Sequence, residues 1–162
     1  MKFFNLKLIL IIAILFSSSL FAKEREQKIR LMGKVKANIS KRVTVKEIEN
    51  GLTFIEEKVY NPYEERSDFY GGVSLKSFIK KYATDSVVAV RFIAMDDYET
   101  TITKSEWDSM RIILSTRMNR EYMSIKSKGP LRIVFPDYDP KKKEYQVNMP
   151  SWIWMIKKIE FR

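Results

Sequence analysis

The stretch "SIKSKGPLRIVFPDYD", Ser124–Asp139, passes from a basic segment through a Gly129–Pro130 corner into an apolar run, then out into an acidic, proline-bounded turn. "PLRIVF" reads as a core strand, with Pro130 at its first residue, where a missing N–H costs least. Lysines at the mouth of a buried strand admit two readings. In one, the segment is a cofactor cradle, with Lys126, Lys128 and Arg132 facing an anionic ligand. In the other, Gly129 and Pro130 only turn the chain into its strand.

Upstream, "RIILST" has the composition of a strand, and "MNRE" that of a tight turn, with Asn119 suited to the left-handed region. "SVVAVRFIAM", residues 86–95, is a long, mostly apolar run expected as a central strand. "SLKSFIKKY" is the clearest helix. Ser74 is a natural N-cap, and Leu75, Phe78, Ile79 and Tyr82 fall at i, i+3, i+4 and i+7. Lys76, Lys80 and Lys81 form its solvated face. Thr44 with Glu47, and Thr103 with Glu106, have capping-box spacing. The first pair opens a short helix ended by Gly51, the second a brief helix carrying Trp107.

"IRLMGKVKA" alternates apolar and polar residues, and "LTFIEEKVY" is rich in β-branched and aromatic ones, so both read as strands. "NPYEERSDFYGG" reads as a loop opened by Pro62 and closed by Gly71 and Gly72. Its Tyr63, Arg66, Phe69 and Tyr70 line a ligand pocket or fold back over a core edge. "DPKKKEYQ" reads as a basic loop, and "SWIWMIKKIEF", with Trp152 and Trp154, as the closing strand. Strands and short helices without βαβ alternation predict an α+β fold, with a mixed or mainly antiparallel sheet in a single domain.

Residues 1–22 stand apart from this pattern. Lys2 and Lys7, the apolar run "LILIIAILF" and the small residues of "SSSLFA" have the layout of a secretory signal peptide. The apolar run is too short to span a bilayer. Cleavage after Ala22 leaves 23–162 as one domain in the periplasm, with no transmembrane span. Two of the 30 basic residues lie in that segment, leaving 28 against 20 acidic ones, a net charge of +8. Such a surface suits a small anion, anionic phospholipid or an acidic partner. Export argues against nucleic acid. The chain has neither Cys nor His. It therefore lacks a thiolate, a soft metal ligand, and any side chain whose ordinary pKa lies near neutrality. Asp96, Asp97 and Tyr98 end a strand, but adjacent carboxylates on extended chain point to opposite faces and make a poor acid–base dyad. They form a turn, or bind a hard cation. Arg117 and Arg120 flank the hairpin turn and face an acidic partner or solvent.

The order "GVSLKSFIKKY", "VAVRFIAMDDYETTIT", "ILSTRMNREYMSIKSKGPLRIVFP" and "WIWMIKKIEF" resembles the oxidoreductase molybdopterin-binding domain family, the sulfite-oxidase-like fold, over roughly Leu31 to Phe161. The likeness is nearest to small stand-alone exported members. It implies a cofactor pocket near the Gly129–Pro130 corner. It also implies, in catalytic members, a molybdenum-ligating cysteine ahead of the Gly-Val-x-Leu helix start and basic residues near the C-terminal Trp strand. Here that cysteine is absent, and Trp152 and Trp154 occupy the closest C-terminal positions.

The chain is therefore expected to be an exported, non-catalytic binding or accessory protein. Its ligand would be a small anion, or its partner a periplasmic sensor or redox protein, with no cofactor. The alternative is a molybdopterin-dependent oxidoreductase or a subunit of one. The candidate ligand-pocket residues are Tyr63, Arg66, Phe69, Tyr70, Asp97, Tyr98, Arg117, Lys126, Lys128, Gly129, Arg132, Trp152 and Trp154.

Overall fold

A computed structural model describes residues 26–162, and the expected export segment, 1–22, lies outside them. Among the described residues ten strands form two sheets. The first runs β2 (Arg42–Thr44), β1 (Lys28–Gly33), β10 (Ile156–Phe161), β5 (Ala89–Ala94), β6 (Glu99–Thr103). It is mixed, because β1 and β10 are parallel and every other pair is antiparallel. The second runs β3 (Phe54–Asn61), β4 (Arg66–Ser74), β7 (Ile113–Met118). Beyond it, β8 (Glu121–Tyr122) and β9 (Arg132–Val134) both pair antiparallel with β7. One apolar core draws on both sheets: Ile29, Leu31, Phe92, Ile159 and Phe161 from the first, Val73, Leu114 and Ile133 from the second.

Among the described residues four short α-helices connect the strands. In α1 (Val45–Asn50), Glu47 N donates to Thr44 Oγ1 at 3.1 Å, and the Glu47 carboxylate accepts from Thr44 N at 2.7 Å. This is the capping box expected from the sequence. Helix α2 (Leu75–Tyr82) buries the Leu75, Phe78, Ile79 and Tyr82 stripe, although Ser74 caps it without a side-chain hydrogen bond. Helix α3 (Lys104–Ser109) buries Trp107, and Glu106 accepts from Thr103 N at 2.6 Å. Helix α4 (Lys143–Val147) buries Tyr145. Among the described residues no helix is long and apolar enough to cross a membrane.

Several segments differ from expectation. "NPYEERSDFYGG" is mostly strand: the loop is only residues 62–65, and β4 pairs with β3 from Asn61↔Arg66 to Phe54↔Val73. Glu65 (φ 50°) makes the left-handed turn. Gly71 and Gly72 do not close a loop; they sit at a bulge where β4 presses on β7. A Cβ on Gly72 would lie 2.2 Å from the Leu114 carbonyl oxygen, so only glycine permits that approach. The basic "DPKKKEYQ" forms α4 from Lys143 onward because Tyr145 has a core site to fill. The run 86–95 contributes a shorter strand, β5, interior to its sheet between β10 and β6, with β10 in the middle position. Pro130 precedes its strand by two residues, after a cis Gly129–Pro130 bond. The expected hairpin turn is present, with Asn119 (φ 51°) and Arg120 (φ 71°) both left-handed.

Candidate functional site

Three chain segments converge beside the end of β5. The 62–65 turn supplies Tyr63, the β5–β6 turn supplies Asp96 and Tyr98, and the stretch entering β10 supplies Trp152, Ile153 and Trp154. Together with Ala94 they line a mostly apolar cleft of about 230 Å³. The two phenols are held by adjacent carbonyls of one 3-10 turn: Tyr63 donates to Met149 O at 2.9 Å and Tyr98 to Pro150 O at 2.8 Å. Tyr63 meets Trp154 edge-on, with ring centroids 5.5 Å apart. Trp152 is buried against Phe135 and Tyr138, so it forms the floor of the cleft and part of the core. Burial, then the neighbouring phenols of Tyr98 and Tyr138, raises the Tyr63 pKa, so its hydroxyl stays a donor at neutral pH.

On the other side of Trp154 lies a cationic cluster. Lys128 caps the 3-10 turn Ile125–Ser127 in the left-handed conformation (φ 63°). Its Nζ stands 4.8 Å from the centre of the Trp154 ring and 2.9 Å from Glu64 Oε1. Arg132, fully buried on β9, donates from Nη1 to the same oxygen at 3.3 Å and lies 5.0 Å from the centre of the Tyr70 ring. Its Nε has no hydrogen-bond partner. Beneath it, Asn61 donates to the Tyr70 hydroxyl at 3.1 Å. Arg66 Nη2 approaches Glu64 Oε2 at 3.4 Å, and its Nε reaches Asp68 at 2.8 Å. Glu64, Arg66, Lys126 and Lys128 border an open cleft of about 330 Å³. Burial opposes the Glu64 charge, but the Lys128 hydrogen bond and the Arg132 charge outweigh it and hold the carboxyl below its ordinary pKa. Burial raises the Tyr70 pKa, with Arg132 pulling it back in part.

The structure thus gathers Tyr63, Arg66, Tyr70, Tyr98, Lys126, Lys128, Arg132, Trp152 and Trp154. Gly129 adjoins them, buried so closely that a Cβ would lie 2.0 Å from Met123 O. Three candidates go elsewhere. Phe69 is exposed and, next to Tyr70 on an extended strand, points to the opposite face of β4. Asp97 is a left-handed turn residue paired with Lys157 at 2.6 Å, and its neighbour Asp96 lines the cleft instead. Arg117 is engaged by Glu49 in a separate network. Sequence reasoning missed Glu64, Asn61 and Glu49. Nothing local distinguishes Glu64 from Glu65, since its partners lie 64 and 68 positions along the chain.

The span where the resemblance calls for a thiolate holds buried Asn61, which donates to Tyr70 and accepts from Tyr63 N at 3.0 Å. With only hard oxygen and nitrogen groups there, these residues do not fit a protein-ligated molybdenum centre. Among the described residues no three His, Cys, Asp or Glu side chains converge as metal ligands.

No protein-family profile matches the sequence, and no curated protein matches it either. In fold the chain is similar to the crystal structure of the sulfane dehydrogenase SoxCD from Paracoccus pantotrophus, with a TM-score of 0.61 at 10% identity. The likeness covers 85% of this chain and 38% of that one. At that identity it is a likeness of fold.

Proposed function

We propose that this chain is an exported binding or accessory protein on a sulfite-oxidase-like frame. It takes a small anionic ligand at the face where Lys128, Arg66 and Trp154 meet, and it carries out no chemistry of its own. One observation carries the reading: Lys128 and Arg132 share a single oxygen of Glu64 beside an aromatic cleft, while Arg66 is held more closely by Asp68. That arrangement leaves positive charge uncompensated where an anion with an apolar body would bind. The absence of Cys and His from the chain supports a role without redox or acid–base chemistry. A periplasmic sensor or redox protein is the partner class that suits an exported basic module.

The fold likeness to a sulfane dehydrogenase favours a second reading, a molybdopterin-dependent oxidoreductase or a subunit of one, with the pterin bound without a protein thiolate or shared with another chain. Calorimetric titration of residues 23–162 with acetate, benzoate, sulfate and phosphate tests the first. Saturable binding that Lys128→Gln weakens about tenfold or more is expected, the loss of one charge-assisted contact. Equal affinity in the two proteins would contradict it.

A further inference from the structure

The turn between β3 and β4 carries two consecutive side chains that serve two neighbourhoods. Tyr63 closes the aromatic cleft through its edge contact with Trp154 and its hydrogen bond to Met149 O at 2.9 Å. Glu64 reaches the cationic cluster, accepting from Lys128 at 2.9 Å and Arg132 at 3.3 Å, with Arg66 at 3.4 Å on its other oxygen. Lys128 lies over the Trp154 ring, so both neighbourhoods meet at one indole.

The charges do not balance. Arg66 is paired with Asp68 at 2.8 Å, so Lys128 and Arg132 are left to one carboxylate, that of Glu64, whose side chain is 14% exposed, so water compensates little. Arg132 is 1% exposed, and its Nε lacks an acceptor. A buried guanidinium is ordinarily hydrogen-bonded throughout, and a missing acceptor is costly. The open cleft bordered by Glu64, Arg66, Lys126 and Lys128 connects to Arg132 through the Glu64 oxygen that Lys128 and Arg132 share.

We propose that Glu64 is an internal stand-in for the ligand's anionic group: a small carboxylate or oxyanion entering through this cleft takes Lys128 and Arg132 from Glu64, releases the 62–65 turn, and draws Tyr63 away from Trp154. Binding at the cationic cluster thereby opens the aromatic cleft. This rests on the anion-binding reading given above and adds its gating. The exchange replaces one carboxylate-type contact with another, so the ligand competes with a group already tethered in place. The apparent affinity is reduced by the fraction of molecules in which Glu64 is displaced.

The test is calorimetry on residues 23–162 with acetate, benzoate and sulfate as probes, with tryptophan emission followed in parallel. Glu64→Gln keeps the shape and removes the competing charge. It is expected to tighten binding about tenfold, and adding Lys128→Gln should abolish that gain. Because Glu64→Gln also strips a counter-charge from buried Arg132, Tyr63→Phe provides an independent variant. It removes only the tether to Met149 O, and is expected to tighten anion binding roughly threefold, the worth of one ordinary hydrogen bond. If the parent protein binds through Lys128 while Glu64→Gln and Tyr63→Phe bind no more tightly, the gating is wrong and the anion site stands. Should Glu64→Gln fail to fold, unchanged affinity in Tyr63→Phe alone overturns the gating. If no folded variant binds any probe, the anion reading itself falls.

Discussion

Glu49 and Arg117, 68 positions apart, meet through two hydrogen bonds, Nε to Oε1 at 3.0 Å and Nη2 to Oε2 at 2.6 Å. Thr116 and Tyr122 donate to the same carboxylate at 2.5 and 2.8 Å, and the guanidinium packs between the Phe54 and Tyr122 rings. This bidentate pair ties α1 to the β7–β8 hairpin. It makes Arg117 a structural residue.

Removing that carboxylate leaves Arg117 and Tyr122 without that acceptor, while Thr116 keeps Gly71 O at 3.2 Å. Glu49→Ala should lower stability by about 2–3 kcal/mol, read as a shift in the urea midpoint. Anion affinity should not change, because the network shares no residue with the Lys128 cluster.

Acid should destabilise the fold chiefly through the two most buried of its depressed carboxylates, Glu49 and Glu64. At Glu49 burial works against the charge, and the hydrogen bonds from Arg117, Thr116 and Tyr122 more than offset it, holding its pKa low. Glu64 is held low in the same way by Lys128 and Arg132 against its burial. A carboxyl depressed in the folded state contributes stability above its unfolded pKa, about 4.3 for Glu, and loses it as pH falls through the folded value. The melting temperature should therefore be flat from pH 7 to about 5 and fall steeply below about 4. A Glu49→Gln, Glu64→Gln double variant should show a shallower fall.

Gly72→Ala places a Cβ 2.2 Å from Leu114 O and 2.7 Å from Ser115 Cα, both backbone atoms that cannot swing aside. Prying β4 from β7 should cost about 3 kcal/mol. A urea midpoint unchanged from the parent would show that the bulge is more pliable than this packing implies.

The two cleft tryptophans should separate stability from binding. Trp152 is 2% exposed and packs on Phe135 and Tyr138, so Trp152→Ala should cost about 3–5 kcal/mol. Trp154 is half-buried and contacts Tyr63 and Lys128, so Trp154→Ala should cost about 1–2 kcal/mol yet abolish the emission change on anion binding. Thermal melts and fluorescence titrations of the two variants check both halves.

Where chemistry is local, the sequence is legible. The Thr44–Glu47 and Thr103–Glu106 boxes, the Leu75–Tyr82 stripe and the Asn119 turn each depend on residues within one or two turns of chain, and each is present. The segment Arg66–Gly72 misled because its polar residues and glycines look like a loop, while its strand identity comes from partners on β3 and β7. "DPKKKEYQ" misled because the core site that Tyr145 fills is made by other elements. Most of the site was within reach, since aromatic and basic residues announce themselves. Glu64 was not, because only the folded chain brings it to Lys128 and Arg132.

The central claim is that this frame binds an anion without a metal centre. Molybdenum content and intact native mass of the protein isolated from its own host test it most directly. The account predicts less than a trace of molybdenum and a mass equal to the chain alone, or to the chain with a small anion. Stoichiometric molybdenum with a pterin-sized mass increment would contradict it.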